Sequence, residues 1–425
     1  MNKGNIGIGP LKRLATGGKR RVLSAYERVF PSRLHNLYAP RPGHNLERGI
    51  PTLEPRGRAL LAYITFPWRL TPHHPANLMF SNAGIARTIV QVLNDLGFVV
   101  DVISFEDRRF RPSRAYDLFI GHGGINFEGI ARRLPAEAVK IYFSTGGYWQ
   151  FHNDQERARF QALCDRRGVA LHLDRPINHS EEWANANAHA IIAVGGPAAR
   201  DTYSKFPHVF NLNNAAYQDT NYDALGKDFV RGRNRFLFFA GWGNVHKGLD
   251  LLLEAFSNLG CHLYVCQRLE PDFVRLYRHE LEDLANVHCL GPVALRSPQF
   301  YELVNTCNFA VLPSCSEGQP GSIVDCMSYG LIPLVSYESN IDTDGFGVTL
   351  RDCTTVEIAR TVRELSARPV SWQAEMSRRT RDVASSDFSE RAFYENMKRA
   401  VTSICEQVRG RTNETSVTRC NRPRI

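Results

Sequence analysis

The sequence has no window of the roughly 18 uncharged apolar residues that a membrane-spanning helix needs, so a helical integral membrane protein is not expected. Its first residues, MNKGNIGIGPLKRLATGGKRR, lack the apolar stretch of a secretory signal, and a cytoplasmic location is expected. The ten cysteines form no C-x-x-C pair and no Cys/His cluster at zinc-ligand spacing. They are expected as buried thiols behaving as small hydrophobes, with no bound metal. No basic stripe interleaved with aromatics appears in the body of the chain, which argues against nucleic acid as a partner. Gly7-Ile8-Gly9 follows no strand-like run, so the context of a dinucleotide-binding fingerprint is missing.

What is present is a chain of 425 residues, 43% hydrophobic and 22% charged, enough for two or three domains with ordinary cores. The net charge of +9 sits at the ends. Residues 1–58 carry twelve Lys/Arg against three Glu, and residues 408–425 five Arg against one Glu, which leaves the body between them net acidic. Such arms suit peripheral contact with an anionic membrane, at about 1 kcal/mol per cation near the lipid, and equally suit solvated tails.

Regular alternation begins at Ala59. Residues 59–66 (ALLAYITF) read as a buried strand, a loop with His73, His74 and Asn82 follows, and then a helix over 85–96. Strands are expected at 98–105, 117–121, 139–143 and 190–194, with helices near Ile130 and over 154–166. Over 206–235 the pattern breaks into Asn, Asp and charge. It resumes with FLFFA at 236–240, a helix over 248–256 and the strands HLYVC, NVHCLG, FAVLP and IPLVS. Strands alternating with helices predict parallel doubly wound sheets. The expected organisation is a basic, largely irregular arm (1–55) carrying a short amphipathic helix near 22–30, a first Rossmann-like domain (56–210), a linker (211–234) and a second Rossmann-like domain (235–388). A terminal helix (389–408) and a basic tail (409–425) complete it.

The richest stretch is PSCSEGQPGSIVDCMSYGLIPLVS, residues 313–336. A buried strand runs into a loop that opens a helix, and ligands bind at the carboxyl ends of strands in such sheets. Gly318, Gln319, Pro320, Gly321 and Ser322 form the helix entrance, with Ser322 a candidate cap, and the free backbone N–H groups of the loop and first turn suit a phosphate. Glu317 and Asp325 flank them as carboxylates able to accept from paired hydroxyls. After FLFFA, Gly241 and Gly243 allow close backbone approach, and Lys247 can meet a diphosphate as a point charge. Each feature alone has an ordinary account: turn glycines, a solvated lysine, an acid complementing a helix dipole. Together they fit a nucleotide-sugar.

Lys247-Gly248 before an amphipathic helix, then Glu317-Gly318 and an acid eight positions on, resembles the retaining glycosyltransferases of family 4, a bacterial subgroup in particular. The resemblance covers about 235–385 well. STGGYWQFHND (144–154), RRGVALHLDR (166–175) and AHAIIAVGG (188–196) look like the acceptor-side domain. It implies a GT-B fold, two Rossmann-like domains facing a cleft with a C-terminal helix, and metal-independent transfer from a nucleotide-sugar with no cofactor. The acceptor it implies is a glycan or lipid-linked hydroxyl, in synthesis of cell-surface polysaccharide or glycolipid. It also implies roles: Glu317 near the reacting carbon, Asp325 on the ribose, Lys247 on the diphosphate, and Gly321 and Ser322 on the distal phosphate. Asp325 is one methylene shorter than the family's usual Glu, and Trp242 stands where many members carry an Arg. Either another cation serves there or diphosphate stabilisation is impaired.

On the acceptor side His152 is a candidate to orient a hydroxyl or shuttle a proton, and equally a histidine packed beside Trp149. Tyr148, Trp149 and His122 (in GHGG) share that expected cleft. Asp342-Thr343-Asp344 mimics a metal-binding pair but is expected as a polar turn. Competing functions on the same architecture are a nucleotide-sugar epimerase or hydrolase, and a catalytically silent scaffold.

Overall fold

The computed structural model describes residues 44–46, 55–68, 80–223 and 226–420. The expected helix near 22–30, His73 and His74 lie outside the described residues, as does most of the N-terminal arm. Two separate sheets organise the rest. The first contains β1 (His44–Leu46), β2 (Gly57–Tyr63), β3 (Phe98–Ser104), β4 (Leu118–His122), β5 (Val139–Ser144), β6 (Ala190–Val194) and β7 (Val209–Leu212), in the order β1-β3-β2-β4-β5-β6-β7. All pairs are parallel except β1 with β3. The second contains β8 (Arg235–Phe239), β9 (His262–Cys266), β10 (Val287–Cys289), β11 (Phe309–Leu312), β12 (Ile332–Ser336) and β13 (Val348–Leu350), all parallel, in the order β10-β9-β8-β11-β12-β13. These strands are near-continuous apolar runs because helices cover both faces of each sheet.

The strand order places the crevices. The second sheet runs 3-2-1-4-5-6, so the crossover direction reverses between β8 and β11, and the loops leaving those two strands diverge to open a cleft. Those loops carry Lys247 and Glu317. In the first sheet the reversal lies between β2 and β4, and His122 ends β4.

The principal helices are α1 (Ile85–Asp95), α2 (Trp149–Arg167), α3 (Leu249–Phe256), α4 (Gly321–Ser328), α5 (Val370–Asp387) and α6 (Glu390–Cys420). Two of them cross between the domains. α2 follows β5 of the first sheet, yet its Phe160 and Leu163 pack in the second domain's core, with Leu171 and Leu173 from the segment behind it. α6 follows the second sheet, yet Phe393, Met397, Val401 and Ile404 pack in the first domain's core, beside α1. Each half lends a helix to the other.

Several expectations need correction. Residues 44–46, placed in an irregular arm, pair with β3 as an edge strand. β7, placed in the broken region 206–235, pairs with β6; four residues flanked by Asn show too little alternation to be recognised. α2 starts five residues earlier than expected and so takes in His152. α6 continues twelve residues past 408, so part of the expected basic tail is helix. Ser322 is not a cap: Pro320 is the N-cap, and it offers no side-chain bond.

Candidate active site

The two loops of the second-sheet crevice are zipped together from within. The His246 carbonyl accepts from the Cys315 amide at 2.9 Å and lies 3.1 Å from Ser314 Oγ. This sets Lys247 and Glu317 side by side at the strand ends, and Lys247 Nζ donates to Glu317 Oε1. Both side chains are 8% exposed. Ser314 Oγ donates to the same carboxylate oxygen at 2.6 Å, and Arg175 Nη1 lies 3.9 Å from it. Burial alone would raise the Glu317 pKa, but Lys247, Arg175 and His246 hold it well below the ordinary carboxylate range. Burial lowers Lys247, with Glu317 opposing the shift.

Arg175 comes from the first domain and is the cation standing beside Lys247 that Trp242 does not supply. Trp242 is 55% exposed, and its indole N–H donates to the Asp174 carbonyl at 3.0 Å. Asp174 itself reaches over the loop after β8: its carboxylate accepts from the amides of Val245 at 2.8 Å and His246 at 3.0 Å. Burial raises its pKa to about 6, against the pull of those two N–H groups. Gly243, at φ +99°, carries the chain where a side chain would crowd Arg175.

At the entrance to α4 the first amides used inside the helix are Ile323 and Val324, both donating to the Pro320 carbonyl. The Gly321 and Ser322 amides therefore stand ahead of the ladder at its positive end. Gln319 is committed to the fold. It accepts from the Asn214 amide at 2.6 Å and donates to Asn213 and Asn340. Gly318 wedges against the first domain, where a Cβ would lie 2.2 Å from the Thr145 carbonyl oxygen and 2.6 Å from that of Val194. Asp325, a turn into α4, is partly exposed but densely surrounded, and burial raises its pKa to about 7 against the pull of Arg296. The Gly241 carbonyl accepts from Gln267 Nε2 at 2.6 Å, which braces the β8 turn.

The acceptor-side candidates divide. His152, in the first turn of α2, comes into the same cluster: its ring lies 5.0 Å from that of His246 and its Nε2 donates to the Arg175 carbonyl at 2.8 Å. Burial lowers its pKa to about 4. His122 occupies the first sheet's crevice, with Nδ1 donating to the Phe143 carbonyl at 2.9 Å and its ring edge-on to Tyr63 and Phe105. Tyr148 turns away from both. It is 4% exposed, and its hydroxyl binds Glu182 and Lys205. Trp149 packs beside it, with ring centroids 6.1 Å apart. Asp342-Thr343-Asp344 is a turn closed by the Asp344 amide on Asp342.

Sequence reasoning missed Asp174, Glu156 and His246. Asp174 and Arg175 lie in RRGVALHLDR, which the sequence marks only by its likeness to an acceptor-side domain. The available signal was the alternation of Leu171 and Leu173 ending in an acid–base pair.

Residues 233–367 match the family described as "Glycosyl transferases group 1". No curated protein matches the chain as a sequence. Among solved structures, the fold is similar to sucrose-phosphate synthase from Thermosynechococcus elongatus, with TM-score 0.55 and 13% identity over 83% of this chain and 99% of that one. It is also similar to Anabaena Alr3699/HepE, solved with UDP and glucose, with TM-score 0.51 and 14% identity over 82% and 100%. Against TarM the match spans 67% of this chain and only 54% of that one. The second domain thus carries the glycosyl transferases group 1 match, and the chain as a whole has the GT-B fold.

Proposed function

We propose that the protein is a metal-independent glycosyltransferase of the retaining family 4 type, moving a sugar from a nucleotide-sugar to a hydroxyl of a glycan or lipid-linked acceptor. The observation that carries this reading is the buried Lys247–Glu317 pair at the β8/β11 reversal, facing the first domain beside the unladdered amides of α4. A departing diphosphate gains negative charge, and a fixed ammonium with helix-start N–H groups stabilises it where water is excluded. Asp325, one turn on, accepts from ribose hydroxyls, and Glu317 positions the sugar near the reacting carbon. The acceptor enters at the crevice of the first sheet beside His122. Synthesis of cell-surface polysaccharide or glycolipid is the setting we favour, with the basic arms holding the protein at the inner membrane face.

In the arrangement seen, the Asp174 carboxylate occupies two loop amides and Glu317 occupies Lys247. Donor binding therefore begins by lifting the 168–175 segment away from the loop after β8. The same self-satisfaction favours a second reading, a silent scaffold on this fold. Thermal stabilisation by a panel of nucleoside diphosphates separates the two. UDP comes first, because the Alr3699/HepE structure was solved with UDP-glucose. A base-selective rise of about 2.7 kcal/mol at a hundred times the dissociation constant, lost in Asp325→Ala, supports the transferase. No shift with any nucleotide would leave the scaffold.

A further inference from the structure

Directly behind the Lys247–Glu317 pair is a second polar cluster that the transfer chemistry does not use. One ring nitrogen from each of His152 and His246 and one carboxylate oxygen of Glu156 all lie within 4.8 Å of one another. His152 and Glu156 are four apart on α2 and share a face; His246 comes from the loop after β8 of the other domain. His246 and Glu156 are both fully buried.

The hydrogen bonding of this cluster is incomplete in a specific way. The Ser316 carbonyl, which can only accept, lies 2.8 Å from His246 Nε2, so that nitrogen carries the proton. Nδ1 then holds a lone pair, and it faces Glu156 Oε1 at 3.2 Å. Two acceptors at that distance need a proton or a cation between them, and Glu156 Oε1 also accepts from the Arg175 amide at 2.6 Å. Glu156 Oε2 is buried with no hydrogen-bond partner among the described residues. Cys315, a buried free thiol, brings its Sγ to 3.5 Å from the same Nδ1.

We propose that His152, Glu156, His246 and Cys315 bind one zinc ion that ties α2 of the first domain to the two loops carrying Lys247 and Glu317. Zinc takes nitrogen and oxygen ligands at about 2.0–2.2 Å and thiolate at about 2.3 Å, so neighbouring ligands of a tetrahedral site stand about 3.3–3.6 Å apart. The 3.2 Å and 3.5 Å separations around His246 Nδ1 already have that size. Cys315, outside the three groups whose ligand atoms already converge, and His152, the least buried member, close the remaining gaps by side-chain rotation. The donor set of imidazole, carboxylate and thiol suits zinc and not calcium or magnesium, which take oxygen ligands. The carbonyls of Ser316 and Arg175 hold the ring protons away from the metal side, as orienting partners do for metal-bound histidines. The ion is a positioning and latching group, since Lys247 and Glu317 follow its ligands in the chain within two residues. Nothing in the proposal depends on what those two residues act on.

The test uses the full chain without an affinity tag of histidines, stripped with a chelator and reloaded with zinc chloride. Elemental analysis after buffer exchange is expected to find one zinc per chain, and the thermal midpoint to rise with zinc concentration. Affinity should fall by more than about tenfold in Glu156→Gln and in Cys315→Ser, since even groups that merely orient ligands are worth about 10–100-fold. Cobalt in place of zinc should show a thiolate charge-transfer band that Cys315→Ser removes. A chain that retains no zinc and whose midpoint does not move would reduce the cluster to a protonated His246–Glu156 pair and overturn the proposal. Equal zinc binding by a folded Glu156→Gln chain would overturn it too, by placing the metal elsewhere.

Discussion

Lys247 and Glu317 neutralise each other in a dry setting, and this makes their roles separable by substitution. Lys247→Ala is expected to lower turnover by about 100- to 1000-fold, the usual loss for one preorganised electrostatic donor. Ser314, His246 and Arg175 remain around Glu317, so the variant should keep its far-ultraviolet circular dichroism. Unchanged turnover in a folded Lys247→Ala chain would remove the diphosphate role. Asp325 gives a pH signature. Burial raises its pKa to about 7, above an unfolded value near 4. Ionising it therefore takes stability away as pH rises between those two values. The proposed ribose contact needs the ionised form, so the thermal shift given by UDP should grow as pH rises from 6 to 8. Asp325→Asn should flatten that rise.

At the scale of elements, α2 and the 168–175 segment behind it decide how the halves meet. Near its end, Arg166 binds Asp250 at 2.5 Å and Glu254 at 2.8 Å, and Arg167 binds Glu254 at 3.0 Å and Glu280 at 2.5 Å. Asp250 is fully buried, and burial raises its pKa to about 6 even with Arg159 and Arg166 nearby. Removing Arg166 takes away that carboxylate's ion-pair partner and leaves only Arg159 nearby, so Arg166→Ala should cost about 3 kcal/mol in urea denaturation. An exposed ion pair such as Arg360–Glu364 should cost well under about 1 kcal/mol when broken the same way. The segment is also proposed to compete with the donor. Asp174→Ala frees the Val245 and His246 amides from a resident anion, so the dissociation constant for UDP, measured by calorimetry, should fall severalfold. A weaker affinity in that variant would mean that Asp174 organises the loop instead of blocking it.

On the scale of the whole molecule, the closed arrangement depends on a glycine. Gly318 passes so close to the Thr145 and Val194 carbonyls that a methyl group there meets backbone, which cannot turn aside. Gly318→Ala should therefore push the domains apart and cost about 1–3 kcal/mol, read as a lower melting point. Small-angle scattering should show a larger radius of gyration. An unchanged radius with a lower melting point would show that the strain is absorbed locally. The exchange of α2 and α6 between the two cores limits how far such opening can go, because each helix buries apolar side chains in the other half.

The sequence by itself determined the alternation of apolar strands with helices, and with it two parallel sheets. Runs such as FLFF and IPLV can be buried on both faces and serve little else. It also determined the local chemistry of the loops after β8 and β11, since Lys247, Glu317 and the glycine-rich entrance to α4 are close to those strands in the chain. The family match over residues 233–367 spans both of those loops. Only the tertiary structure decided what those residues touch. Strand order, set by long-range pairing, brought β8 beside β11 and so made one pair of Lys247 and Glu317, 70 positions apart. The crossing of α2 brought in Glu156, Asp174 and Arg175, whose partners His246, the Val245 amide and Glu317 lie in the other domain. No local pattern encodes contacts of that range. They arise from which faces the two cores leave uncovered, and which helix is long enough to cover them.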